Sequence, residues 1–282
     1  MKRHLQIMIA MLLPVAGAIA QSTSHSAVKV QYAAQTPICD AFSFLVPGHA
    51  SSSCPPTSVP GGSGSGSSSA TFRSLTAAAQ FTWDGSGVGA GSQVRAAGGA
   101  FNRNLHIVGY TGNSDFVFHI RFHQSAAFTN TVNNLSSVDW GLSLNLGLPF
   151  NYSSGSYFQT LLADGTMSST LTGLTVTPYG VDWTAYAPYT TGTFGYDMQG
   201  AITERINDLQ AAGSSVDAEL AARVDAIEVV DRGTGVRQFF TMDDQGGGTY
   251  VGAITTPEPA TLALVAPGII GVLGLTRRRR RR

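Results

Sequence analysis

The chain of 282 residues is 43% hydrophobic and only 12% charged, with 33 glycines and two cysteines. Charged residues usually make up about a quarter of a globular domain, so this composition excludes a coiled coil, a helical bundle and an acidic disordered chain. It suits a secreted, β-rich protein of one or two domains. The net charge of zero is an average of unlike parts. With Lys2, Arg3, Glu258 and the six terminal arginines set aside, nine basic and sixteen acidic residues remain between positions 21 and 256, a balance of about −7. Such a body repels phosphate backbones, which sets nucleic acid aside as a partner.

Residues 1–20 read as a signal peptide. Lys2, Arg3 and His4 form a positive start, Leu5 to Val15 an apolar core, and Ala18-Ile19-Ala20 the small-x-small pattern that signal peptidase accepts. Ala18 and Ala20 are the residues read at the cleavage site, and the apolar run is too short for a membrane span of ~20 residues. Residues 21–45 form the first segment of the mature chain. Residues 46–70 are predicted as a flexible linker or long loop, because VPGHASSSCPPTSVPGGSGSGSSS holds almost no large apolar side chain. Cys39 and Cys54 flank its first half. Two cysteines in an exported chain most simply form one disulfide, here stabilising by about 3 kcal/mol. The other reading, a reactive or metal-binding pair, has no neighbouring His or Cys to support it.

Residues 71–254 are predicted as a β-rich extracytoplasmic domain. Alternation of period two puts Leu75, Ala77, Ala79, Phe81 and Trp83 on one face, then Phe116, Phe118, Ile120 and Phe122. It recurs at Val138, Trp140, Leu142, Leu144, Leu146 and Leu148, with Asp139, Gly141, Ser143, Asn145 and Gly147 opposite. Segments 105–110, 157–163, 171–177 and 181–187 are further strands. Many short strands with one apolar face predict an antiparallel β-sandwich, with a jelly roll or a barrel as the alternatives. Residues 201–227 are predicted as an inserted helical hairpin. Ile202, Ile206 and Leu209 recur at helical spacing, Gly213 breaks the run, and Val216, Leu220, Val224 and Ile227 resume it; Glu219 and Arg223 form an i,i+4 pair. A β-hairpin turning at Arg232-Gly233-Thr234-Gly235 follows.

Catalytic signatures are lacking: there is no Gly-x-Ser-x-Gly, no His-Glu-x-x-His and no phosphate loop, and nothing indicates a cofactor. His119 and His123 share a strand face, but four residues at ~3.3 Å hold them about 13 Å apart, too far to share a metal. His106 could approach only from another strand. Asp243-Asp244 lack the spaced ligands of a calcium loop and read as a solvated turn. The Asp139-Trp140 and Asp182-Trp183 pairs would suit sugar stacking, yet Trp83, Trp140 and Trp183 fall in phase with apolar positions. The expectation is therefore buried indoles, leaving any sugar contact to loop tyrosines such as Tyr152, Tyr157 or Tyr189.

The C-terminal residues 255–282 carry the strongest motif. Pro257-Glu258-Pro259 precedes an uncharged stretch from Ala260 to Thr276, and Arg277, Arg278, Arg279, Arg280, Arg281 and Arg282 end the sequence. Seventeen helical residues reach about 25 Å, close to the hydrocarbon thickness, and the arginines would stay cytoplasmic. The body then lies outside, where the signal peptide delivers it. The three parts in this order resemble the PEP-CTERM sorting signal of Gram-negative bacteria that make exopolysaccharide. The resemblance covers only about the last 26 residues. It implies transient residence in the inner membrane, recognition by exosortase near Pro257-Glu258-Pro259, and release to the cell surface or extracellular matrix. The reading of the whole chain is a non-enzymatic exported surface or matrix protein, structural or adhesive, in contact with exopolysaccharide. The alternatives are a carbohydrate-binding module and a secreted hydrolase.

Overall fold

The computed structural model describes residues 23–33, 35–45, 49–71, 73–86, 91–108, 113–131, 135–147, 153–187, 193–238 and 241–244. The signal-peptide and sorting-signal residues, with the membrane helix expected over 260–276, lie outside them. In chain order the strands are β1 (Thr23–Tyr32), β2 (Cys39–Leu45), β3 (Ala50–Val59), β4 (Gly62–Ala70), β5 (Ser74–Trp83), β6 (Ser92–Val108), β7 (Ser114–Thr129) and β8 (Ser137–Leu146). They continue with β9 (Ser153–Leu162), β10 (Met167–Thr172), β11 (Leu174–Thr177), β12 (Gly180–Ala187), β13 (Thr193–Ile206), β14 (Ser215–Asp231), β15 (Arg237–Gln238) and β16 (Thr241–Asp244). No helix occurs among the described residues.

The strands form two antiparallel sheets. Sheet A runs β10-β9-β8-β13-β6-β1-β2, with β16 also on β6; sheet B runs β11-β12-β7-β14-β5-β4-β3, with β15 also on β14. Alternation decides what each strand buries. Val138, Trp140, Leu142, Leu144 and Leu146 of β8 face Phe116, Phe118 and Ile120 of β7 and the inward residues of β14 across one continuous core. Burying a side chain of this size contributes about 1.5–3 kcal/mol, which is how an alternating strand finds its inner face.

Three expectations are corrected. The first is the helical hairpin over 201–227, where β13 and β14 stand instead as the central strands of the two sheets. Val216, Ala218, Leu220, Ala222 and Val224 are all buried, with Asp217, Glu219 and Arg223 on the other face. Ile202 and Ile206, Val216 and Leu220, and Leu220 and Val224 are each four positions apart, a spacing that returns close to one face of a helix and to the same face of a strand. The alanines between them settle the period. Leu209 stands beyond β13 and is exposed.

The second correction is the linker over 46–70, which is the hairpin β3–β4. Gly62, Gly64 and Gly66 point inward and the intervening serines outward. A Cβ on Gly64 would lie 2.7 Å from Val94 Cγ2, and one on Gly66 3.0 Å from Val28 Cγ1. These glycines are the contact surface that lets β4 lie close against β1 and β6. Serine hydroxyls join the sheets there: Ser26 Oγ and Ser52 Oγ are 2.8 Å apart, and Ser68 Oγ donates to Ala27 O at 3.3 Å. The packed body therefore begins at β1 and not at residue 71. Asp243-Asp244 likewise belong to β16 and not to a turn.

Both flanks of the stack are tied. Cys39 on β2 and Cys54 on β3 are disulfide-bonded with their Cα atoms 6.0 Å apart, joining the edge strand of sheet A to that of sheet B. At the opposite flank the chain passes from β10 to β11 through Gly173 (φ 68°), where a Cβ would meet Ser154 O at 2.8 Å. On β3, Pro55 and Pro56 remove two backbone donors and the register shifts between Cys54 and Thr57, which discourages further strand pairing at that edge. Reducing the disulfide is expected to lower stability by about 3 kcal/mol, because it closes a loop of 15-residue separation. Urea titrations with and without reductant check this, and coincident curves would show that the bond carries no stability.

Candidate functional surfaces

Of the residues singled out from sequence, the tryptophans are core: Trp83, Trp140 and Trp183 are each at most 3% exposed. Trp140 Nε1 donates to Glu219 O at 3.0 Å, and Trp83 Nε1 to Asp208 O at 3.3 Å. Their aspartate neighbours stand across the pleat. Asp139 accepts from Thr160 Oγ1 at 2.7 Å and from Arg205 Nε at 2.6 Å, while Asp182 Oδ1 is 2.9 Å from His119 Nδ1. Tyr157 is half-buried, edge-on to Phe122, and its hydroxyl accepts from Gln124 Nε2 at 2.8 Å. Burial raises its phenol above the ordinary value. Tyr152 and Tyr189 lie outside the described residues.

The outer face of sheet B is a lattice of ion pairs. His119 Nε2 is 3.6 Å from Glu228, which also takes Arg237 at 3.0 Å; Asp225 takes Arg121 at 2.8 Å and Arg223 at 3.2 Å. Arg232 reaches Asp115 at 3.6 Å and covers the Tyr186 ring, 4.1 Å from its centroid. Solvent-exposed pairs of this kind contribute roughly 0–1 kcal/mol each. His123 is exposed and apart from His119. Among the described residues, no three His, Cys, Asp or Glu side chains are arranged to hold a metal ion. Further along this face a groove of about 400 Å³ is floored by Gly66, Ala79 and Ala218 and edged by Gln80, Asp217 and Glu219. Both carboxylates are exposed.

The outer face of sheet A holds a different arrangement, which sequence reasoning missed. Antiparallel register stacks three rows across β2, β1 and β6: Asp40–Lys29–Arg95, then Phe42–Ala27–Ala97, then Phe44–His25–Gly99. Ala27 and Ala97 in the middle row are small between Lys29 and Arg95 on one side and His25 on the other, and with Phe42 they line a hollow of about 350 Å³. Lys29 Nζ pairs with Asp40 at 3.3 Å. Arg95 has no carboxylate partner among the described residues, and burial, with the nearby Arg205 charge, lowers its pKa from the usual arginine value. Phe42 is 61% exposed and forms an open aromatic wall. His25 is 2% exposed, stacks on Phe101 at 4.9 Å, and its Nδ1 has no hydrogen-bond partner among the described residues. Burial lowers its pKa to about 4, so the ring is neutral at pH 7. No sequence signal could have found this hollow, because β1 and β6 are about 70 residues apart and only their register brings the rows together.

A third unusual group is internal. Glu204 points inward from β13, fully buried, with neither carboxyl oxygen hydrogen-bonded to any of the described residues. Burial first, and the Asp217 charge second, raise its pKa well above the ordinary carboxyl value.

No protein-family model matches this chain, and no curated protein matches it.

Proposed function

We propose that the protein is an exported surface or extracellular-matrix component with a structural or adhesive role. Its precursor carries a cleaved signal peptide over 1–20 and is held transiently in the inner membrane by a helix over 260–276. Exosortase then processes it near Pro257-Glu258-Pro259. The observation that carries this reading is the ordered set of motif, apolar stretch and arginines 277–282 in the sequence. A disulfide across the edges of the two sheets supports it, since such bonds persist in oxidising compartments and are rare in the cytosol.

Fractionation of the native host, with mass spectrometry of both mature termini, tests location and processing together. A mature chain starting at Gln21 and ending near the Pro-Glu-Pro motif, recovered from the surface or matrix, is the expected result. Glu258→Ala and deletion of Arg277 to Arg282 should each leave unprocessed precursor in the cell envelope. The arginines orient the membrane helix, and Glu258 is the only charge in the motif. Wild-type maturation of both variants would refute the sorting reading.

A further inference from the structure

We propose that the hollow on the outer face of sheet A binds a carboxylated saccharide, with Arg95 taking the carboxylate and Phe42 the face of the sugar ring. The inference deepens the adhesive reading by naming a ligand class, and rests on that reading only for where the ligand is met.

A cation taken partly out of water needs a counter-charge, and a guanidinium presents a planar fork that fits a carboxylate in a bidentate pair. Arg205, the neighbouring arginine, is already bonded to Asp139, and Lys29 is paired with Asp40. Arg95 is thus the cation of this patch left without an anion among the described residues, and it lines the hollow. Shape adds the second part. Ala27 and Ala97 keep the floor low enough for a ring to descend beside Phe42, whose exposed face supplies apolar contact to a pyranose. The volume of about 350 Å³ falls in the range of small-molecule clefts. At the far side, the His25 ring, stacked on Phe101, closes the hollow.

The composition of the site also says what it rejects. A neutral sugar leaves Arg95 uncompensated. A bare anion gains nothing from Phe42. A densely anionic phosphate polymer meets Asp40 beside Lys29. One carboxylate on a ring matches one free guanidinium beside one open aromatic face.

Calorimetric titration of the purified, disulfide-intact protein at low salt tests the proposal, using tri-galacturonate, maltotriose and inorganic phosphate as probes. The expected result is binding of tri-galacturonate that weakens with salt, and no binding of maltotriose. Arg95→Gln and Phe42→Ala should each weaken tri-galacturonate binding by about tenfold or more. Arg237→Gln on the opposite face should leave it unchanged. Phe42 is on the surface, so its variant tests the site even if Arg95→Gln fails to fold. Absence of tri-galacturonate binding overturns the proposal, as does equal binding of maltotriose. Phosphate binding of equal strength that ignores Phe42→Ala also overturns it, leaving a simple anion site. Failure of export or sorting in the native host leaves these titrations untouched, so the two readings fail separately.

Discussion

Trp140→Ala and Trp183→Ala are each expected to lower the unfolding free energy by about 3–5 kcal/mol, with no selective loss of a ligand. Both indoles lie between the sheets at no more than 3% exposure. Trp183 packs on Phe118 with ring centroids 4.9 Å apart, and against Gly155, where an added Cβ would come within 2.9 Å of the indole. Removing it opens a cavity whose rigid walls, strands on both sides, cannot close. Trp140 has a second role, because its Nε1 hydrogen bond to Glu219 O links β8 to β14 across the core. Truncation leaves that carbonyl without this partner as well as the ring's space empty. Urea denaturation gives the magnitude, and iodide should quench the native tryptophan fluorescence weakly. A loss below about 0.5 kcal/mol at both positions, the range of ordinary surface substitutions, would mean that the indoles are not core residues.

Stability should also respond to pH on two opposed limbs. His25 has a folded pKa of about 4 against an unfolded value of 6.5. Below pH 6.5 the unfolded chain takes up a proton that the folded chain refuses, so about 3 kcal/mol is lost as pH falls from 6.5 towards 4. Glu204 works in the other direction. Its folded pKa is raised above 4.5, so the fold holds a proton that the unfolded chain releases. Its contribution is complete below pH 4.5 and is lost as pH rises from there through the folded pKa. Between about pH 4.5 and 6.5 the two slopes oppose each other, and a broad maximum of stability is expected there. His25→Phe should flatten the acid limb. Glu204→Leu should flatten the alkaline limb and stabilise the protein at pH 7 by about 1–3 kcal/mol, since the buried carboxyl has no partner to lose. Urea titrations across pH on the parent and both variants measure this. If Glu204→Leu is destabilising at pH 7, the carboxylate has a compensating interaction and the assignment of the alkaline limb is wrong.

Much of the fold was legible where polar and apolar residues alternate without interruption. Of the segment 138–148, residues 138–146 lie in β8 and Leu148 lies outside the described residues, and 75–83 lies in β5, because every alternate residue in both is apolar. Legibility failed where the buried residue is not apolar or not large. In β4 the inward residues are glycines, which carry no hydrophobic signal although Gly64 and Gly66 are in tight contact with Val94 and Val28. In β13 the inward run Ile202, Glu204, Ile206 is interrupted by a carboxyl group, which hides the period of two and leaves a spacing of four that a helix also satisfies. Glu204 and His25 were invisible for a related reason: nothing in the local sequence announces that an ionisable group will be removed from water. The hollow of sheet A was beyond reach altogether, because its rows exist only once the distant strands are in register. The sorting signal shows the opposite case, since its three parts are contiguous and need no tertiary structure to be read.

The order of the strands sets when the body can form. β13 separates β6 from β8, and β14 separates β5 from β7, so the centre of each sheet is its last long strand in the chain. A growing chain that ends before residue 193 holds the two outer parts of sheet A with nothing to join them, and one that ends before residue 215 leaves sheet B in the same condition. Pairs such as β1 with β6 and β5 with β14 are far apart in sequence, and contacts of that kind form slowly because the intervening chain must first be closed into a loop. The local pairs β1–β2, β3–β4–β5 and β8–β9–β10 are therefore joined into complete sheets only by β13 and β14. A chain that lacks β14 leaves the apolar faces of its other strands without their central partner, which is the condition in which wrong pairing and aggregation are favoured.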